Sequence, residues 1–351
     1  MSKQQNILDL KAPYLVYFGD VQGRGYAKTG LGLIKWRPNL CAGQLRLPAC
    51  TIDGGIRDMS IAEAVATGVK SLVIGVAPSG GEIPSTWGDD LVQAAQAGLD
   101  VVSGMHVKLK DIPNLEFAAK ESGSKLIDVR CPPAILPIGT GAPRSGMRLL
   151  AVGTDCAVGK KYTALSIEHE MRRRGWEVDF RATGQTGIMI AGRGIPIDSV
   201  VADFLSGAAE AISPSAAADH WDVIEGQGAL AHPSYAGVSL GLLHGSQPDA
   251  LVLCHEANRD IMLGTENKEP FKIQSLQETM ELNLKHARRV NPQSRFVGLS
   301  VNTSAIPVGE RKAVLAHYAR ETGLPTVDPI IDGASAIVDQ IAKEFGPCRV
   351  A

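Results

Sequence analysis

Short apolar runs, four to eight residues long, recur along the chain and alternate with stretches whose apolar positions fall three and four residues apart. In the first part, Tyr14–Phe18, Ser71–Val76, Asp100–Ser103 and Lys125–Val129 carry the strand pattern, with helical spacing in Ile61–Ala66, Asp90–Ala97 and Leu115–Ser122 between them. That order predicts a parallel sheet wrapped by helices. The rhythm returns later, with strands predicted at Arg148–Val152, Val178–Thr183, Trp221–Glu225, Ala250–His255, Arg295–Val301 and Thr326–Asp328. Ala164, Ile167 and Met171 form one buried helical stripe. Arg172–Arg174 and Gly175 close that helix as C-terminal cations and a glycine stop, not as a binding patch. One turn of helix is predicted in DSVVADF (198–204), where Asp198 and Asp203 do not stack closely enough for a joint metal site.

Between the two series lies Cys131–Met147, CPPAILPIGTGAPRSGM, too rich in proline and glycine for regular structure. It sets a domain boundary, giving an N-terminal domain over 1–140 and a C-terminal domain over 147–351. The chain has 351 residues, enough for two cores. Hydrophobic residues make up 44% and charged residues 21%, as in a globular protein, and the net charge of −2 gives no electrostatic case for nucleic acid. No apolar run reaches the roughly 20 residues that span a bilayer. The start MSKQQNILDLKAPY lacks a signal-peptide core. The six cysteines are scattered without a Cys-x-x-Cys pair, which predicts thiols in the cytoplasm rather than disulfides or zinc.

The sharpest chemical signal is RLLAVGTDCAVGKKYT, Arg148–Thr163: a buried strand, a glycine-bounded loop, then a helix opening at Gly159-Lys160. Such a loop aims backbone N–H groups, a helix N-terminus and a lysine at one point, which suits a phosphate. Two departures from the usual pattern matter. Five residues instead of four separate Gly153 from Gly159, and Lys161 stands where a Ser or Thr would hold Mg²⁺. The loop therefore predicts a phosphate-bearing ligand and leaves phosphoryl transfer open. Thr154 and Asp155 lie inside the loop. Asp155 is expected to face an amine, a metal or a backbone N–H, because a carboxylate repels phosphate. The glycine-rich turn FGDVQGRGY after the first strand reads as a plain tight turn before it reads as a nucleotide site.

In open parallel sheets ligands sit outside the carboxyl ends of the strands. After the boundary, nearly every such end is polar: the loop itself, then Thr183-Gly184-Gln185-Thr186-Gly187, Glu225-Gly226-Gln227-Gly228 with His232 beyond, His255-Glu256, and Asn302-Thr303. Five in order imply a shared crevice. Glu225 reads as an acid that binds a metal or serves as a base, or as a loop anchor. Gln185 and Thr186 read as ligand contacts or a simple turn, and His232 and His255 as bases or as histidines satisfied locally. His244, before Gly245, is explained by helix capping.

The run GTDCAVGKK, the EGQG turn and the later asparagine resemble the dethiobiotin synthetase branch of phosphate-loop proteins, matching at Gly153, Gly159, Lys160, Glu225 and Asn302. Lys161 departs from it, since that branch has Thr there, and Thr163 is the nearest hydroxyl. A fuller resemblance covers nearly the whole chain through GTDCAVGKKYTA, RATGQTGIMIAGRGIPIDSVVADFLSGAAE and EGQGALAHPSYAGVSLGLLHGSQPDALVLCHE. These blocks are similar to a bacterial family long catalogued as of unknown function, with a Rossmann-like N-terminal domain and a P-loop NTPase-like C-terminal domain. Some of its members are described as acetyl-CoA-dependent D-glutamate N-acetyltransferases whose product passes to an enolase-superfamily partner.

The resemblance implies an α/β enzyme that moves the acetyl group of acetyl-CoA to an acidic D-amino acid, with no metal. It implies cofactor contacts at Gly153, Thr154, Asp155, Gly159, Lys160, Lys161, Thr163 and Asn302. Glu225 and His232 are then candidate bases, and Gln185, Thr186, Arg193, Gln227 and Arg259 candidate substrate contacts. The alternative is an ATP- and Mg²⁺-dependent kinase or ligase, with Glu225 and Thr163 at the metal; a third reading is a regulatory nucleotide-binding protein. A cytoplasmic homo-oligomer is expected from size and class alone.

Overall fold

The computed structural model describes residues 8–76, 83–265 and 270–346, so Cys348 of the cysteine reading lies outside the described residues. The chain forms two compact units, Asn6–Pro133 with Gly184–Ser199, and Ala134–Thr183 with Val200–Ala351. The segment 184–199 thus leaves the C-terminal unit after one of its strands and belongs to the N-terminal one.

The N-terminal unit runs β1 (Leu8–Asp9), β2 (Tyr14–Gly19), α1 (Lys28–Trp36), β3 (Cys41–Arg46), α2 (Ile61–Ala66), β4 (Ser71–Ile74), α3 (Gly88–Gln96), β5 (Asp100–Ser103), α4 (Leu115–Ser122) and β6 (Leu126–Asp128). Its five-stranded sheet has the order β3-β2-β4-β5-β6 and is parallel throughout. β2, β4 and β5 are buried along their full length, which is why they read as continuous apolar runs. β3 escapes that pattern. Its sequence CAGQLR is held by backbone pairing to β2, and Gln44 is buried because it donates to Asp53 and Ile56 O and accepts from Gly54 N.

The C-terminal unit begins at β7 (Met147–Gly153), α5 (Lys160–Arg173) and β8 (Val178–Arg181). The 184–199 excursion supplies α6 (Gln185–Ala191) and β9 (Arg193–Gly194), the latter antiparallel to β1. Then follow α7 (Leu205–Ile212), β10 (Trp221–Ile224), α8 (Ala236–Ser246), β11 (Ala250–Glu256), α9 (Leu276–Val290), β12 (Arg295–Asn302), α10 (Arg311–Thr322), β13 (Thr326–Val327) and α11 (Ser335–Phe345). The six-stranded sheet has the order β13-β12-β11-β7-β10-β8, again all parallel. β7 lies at its centre, between β11 and β10.

Ala164, Ile167 and Met171 are fully buried, as their spacing requires. The arginines after them pair with acids of the same helix: Arg172 with Glu168, Arg173 and Arg174 with Glu170. That arrangement holds the Glu170 carboxyl down at about 2. The helix expected in DSVVADF is instead two separate 3₁₀ turns, Ile197–Ser199 and Ala202–Phe204. The adjacent β-branched Val200 and Val201 between them disfavour a continuous α-helix. Among the described residues, no helix is long and apolar enough to cross a membrane.

Candidate active site

β7 delivers the chain into the loop, and α5 begins at Lys160 after Gly159, which has φ of 107°. No side chain caps the start of α5, the geometry in which a helix N-terminus can face an anion. Lys160 is buried, and its Nζ donates to Asp155 O at 2.7 Å. Burial pushes its pKa below the usual lysine value. Two glycines make room for the stem. A Cβ on Gly153 would stand 3.1 Å from Nζ, and one on Gly226 would stand 3.0 Å from Lys160 Cδ and 1.6 Å from Ala151 O. β7 and the turn after β10 therefore meet backbone to backbone, with the lysine laid across them.

Asp155 braces the loop from within. Its Oδ1 accepts from Cys156 N at 2.6 Å and its Oδ2 from Leu263 N at 2.8 Å. Arg259 Nη1 adds a bond to Oδ2 at 3.2 Å and one to Cys156 O at 2.7 Å, while its Nη2 bonds Glu256. Of the options open to this aspartate, backbone N–H groups and an internal arginine are the ones realised. His232 stands behind it, with Nε2 at 3.8 Å from Oδ1. Ser234 N donates to His232 Nδ1 at 3.1 Å, so the ring carries its proton on Nε2 and donates it to Leu263 O at 3.0 Å. Asp155, Cys156 and His232 offer ligand atoms within 4.8 Å of one another. The carboxylate oxygens and both ring nitrogens already serve the protein. A second such group, Asp179, His220 and Asp222, is bridged by Arg181.

Glu225 is buried at the end of β10; its Oε2 accepts from Thr183 N at 3.0 Å, and Thr183 Oγ1 donates to Glu225 O at 2.7 Å. Gln227 Nε2 joins at 3.0 Å from Thr183 Oγ1. Lys161 lies against the Tyr162 ring, 4.5 Å from its centroid. Thr163 is turned into the sheet, with Oγ1 at 2.7 Å from Ser300 Oγ and 3.4 Å from Cys254 Sγ. Its hydroxyl also lies 3.1 Å from Gly159 O, so it is engaged within the protein on both sides. Asn302 uses Oδ1 to cap Ser304 N at the end of β12, two strands from β7.

Thr154 leads elsewhere. Its Oγ1 is 3.1 Å from His255 Nδ1, and His255 Nε2 is 3.3 Å from the Tyr318 hydroxyl on α10. Burial, with Arg259 nearby, brings His255 down to about 4, so the ring is neutral near pH 7. Beyond this pair opens a cleft of about 700 Å³, lined among others by His255, Arg259, Asp260, Lys272, Tyr318 and Glu321. Lys272 and Tyr318 carry no motif that spacing alone would reveal.

Three predicted contacts belong to the other unit. Gln185 and Thr186 open α6 instead of forming a turn, and Thr186 Oγ1 is 3.1 Å from Thr29 Oγ1. Arg193 lies in β9, exposed and opposite Asp9. Gly226 after β10, His232 and His255 thus contact the loop directly, Asn302 and Thr303 bond elsewhere, and these three belong to a different core.

With that geometry in hand, comparison with known proteins is informative. A family profile described as a P-loop domain of unknown function (DUF1611_C) matches residues 137–338, and a Rossmann-like profile (DUF1611_N) matches 42–132. A curated relative from Pseudoalteromonas named D-glutamate N-acetyltransferase is 45% identical over 331 residues, 94% of this chain and 99% of that protein. Another of the same name from Tritonibacter scottomollicae is 46% identical over 333 residues, 95% and 99% of the two chains. A crystal structure of a DUF1611 family protein from Anabaena variabilis superposes with a TM-score of 0.81 at 32% identity, covering 95% of this chain and 100% of that one.

Proposed function

The chain belongs to the DUF1611 family, and from that premise we propose that it transfers the acetyl group of acetyl-CoA to the amino group of D-glutamate. The observation that carries this reading is the near end-to-end match, at 45% and 46% identity, to two relatives named D-glutamate N-acetyltransferase.

The loop fits coenzyme A. An uncapped helix N-terminus, the left-handed Gly159 and the Lys160 ammonium form a cradle for a pyrophosphate. Lys161 stands where a metal-binding hydroxyl would, and Thr163 is bonded to Ser300 instead. The donor set therefore favours holding a phosphate over cleaving one. When bound, the coenzyme supplies an acetyl group activated as a thioester. The protein's part is to anchor and orient. Gly153, Gly159 and Lys160 grip the phosphate end, and Asp155 and Arg259 keep the loop in shape. Glu225 and Gln227 order the Thr183 strand end, and His232 secures the segment at Leu263. The reading implies D-glutamate breakdown in a bacterial cytoplasm, by a homo-oligomer whose N-acetyl product passes to an enolase-superfamily enzyme.

The test is direct. Purified protein given D-glutamate and acetyl-CoA releases free thiol in proportion to D-glutamate. ADP formation from ATP and Mg²⁺, with no thiol release, overturns the reading in favour of a kinase or ligase.

A further inference from the structure

An acidic amino acid brings one ammonium and two carboxylates, so its pocket needs charges of both signs and a group that takes a proton. The cleft beside the loop has them. Lys272 supplies positive charge beside the Arg259 guanidinium, which is already paired with Asp155 and Glu256. Asp260 and Glu321 supply negative charge, and the Tyr318 hydroxyl is backed by His255. Its volume of about 700 Å³ holds a small amino acid together with the reacting end of a donor. The wall is shared with the phosphate loop, because His255 bonds Thr154 and Arg259 bonds Cys156 O.

A neutral imidazole has one donor and one acceptor nitrogen. With Nδ1–H donating to Thr154 Oγ1, Nε2 accepts from the Tyr318 hydroxyl. Burial raises the Tyr318 pKa, which keeps that hydroxyl protonated, and lowers that of His255, which keeps the ring neutral. The titratable and charged groups around the pair are Arg259 and Asp260 from the segment after β11, His317 and Glu321 from α10, and Lys272 from the strand-like stretch opposite Ile261.

Resting on the acetyl-transfer reading, we propose that this cleft receives the acceptor amino acid and that Tyr318 touches its amine and passes the proton released on acylation to His255. The ammonium loses one proton to solvent as the free amine forms. The nitrogen attacks the thioester carbonyl, the C–N bond forms and the C–S bond breaks. The second nitrogen proton goes to the Tyr318 oxygen as the tyrosine gives its own to His255 Nε2. His255 then returns a proton to the departing sulfur, so the products are amide, thiol and one proton in solvent.

Three variants test this: Tyr318→Phe, His255→Asn and Lys272→Glu. Thiol release by the wild-type protein with D-glutamate is measured first, since its absence overturns the functional reading itself. Given that activity, Y318F and H255N lower kcat on the order of 100-fold near neutral pH. The loss narrows as pH rises and hydroxide takes over the acceptor role. K272E raises the KM for D-glutamate about tenfold or more, a larger change than any in kcat. Calorimetry without the donor shows the same loss of D-glutamate affinity in K272E. Wild-type kcat in Y318F across the pH range removes the proton path. Wild-type D-glutamate affinity in K272E removes the cleft as the acceptor site.

Discussion

Each unit carries a glycine-rich turn after the first strand of its main parallel sheet, yet the two turns are built to opposite ends. In the N-terminal unit, Gly19 has φ of 57°, and the space its missing side chain leaves is filled by the Trp87 indole, 2.4 Å from where a Cβ would sit. Trp87 Nε1 donates to Asp20 at 2.9 Å, its ring meets Tyr17 edge-on, and Tyr17 donates to Asp90. That turn is plugged. In the C-terminal unit, nothing stands within 4 Å of a Cβ built on Gly159, and a buried lysine lies beside the uncapped start of a 14-residue helix. The two glycines differ in place, one at a strand end and one at a helix start; what the second turn adds is the buried lysine beside that start.

The largest effects come from filling or emptying that space. Gly226→Ala places a methyl group on Ala151 O, backbone against backbone, so β7 and β10 must part. Trp87→Ala empties the plug and leaves a cavity around Gly19, at a cost of about 3–5 kcal/mol. We expect G226A to cost at least as much and to abolish acetyl-CoA binding together with the fold of the loop. W87A is expected to lower the urea midpoint without changing acetyl-CoA affinity in the protein that remains folded. If W87A weakens acetyl-CoA binding as much as it lowers stability, the two turns are not independent and the contrast fails.

The same contrast explains how much the sequence reveals. Strands buried on both faces, such as Leu72–Ile74 and Leu251–Leu253, announce themselves as apolar runs, and the loop announces itself through Gly159-Lys160. Reading the N-terminal turn as a plain turn agrees with its closure by Trp87. Harder to see are features made by distant partners. β3 depends on a buried glutamine held by Asp53 and Gly54, and Thr163 is turned by Ser300, which lies 137 residues away. The excursion of 184–199 is equally silent, because α6 and the strands before it have the composition of either core. Tyr318 escapes notice for a simpler reason: no residue of α10 is buried, so periodicity carries no signal there.

A second difference between the regions is that an indole plug does not titrate, whereas the imidazole beside the phosphate loop does. The folded protein holds His255 at about 4, against an ordinary value of 6.5 in the unfolded chain. Between those values the unfolded state binds the proton and the folded state does not. Stability from this residue is therefore complete above pH 6.5 and lost as pH falls to about 4, by up to about 3 kcal/mol. Urea unfolding of wild type and H255N at several pH values measures it. The wild-type curve is expected to fall relative to the variant below pH 6.5, and parallel curves contradict the burial of a neutral ring.

The smallest expected effect is also the one that separates function from fold. Lys160 is buried and its pKa is depressed, so the folded protein gains little from keeping a charge there. Methionine preserves the apolar stem that lies across Gly226 and removes only the ammonium. Lys160→Met is therefore expected to leave ligand-free stability unchanged or raised, while acetyl-CoA binding weakens by about 1–3 kcal/mol, the range for a charge-assisted hydrogen bond. Thermal unfolding and calorimetric titration on the same preparation read the two quantities separately. A fall in stability with unchanged affinity would make Lys160 a counterpart of Trp87, a side chain that closes its turn. The opposite pattern makes it the group for which the loop stays open.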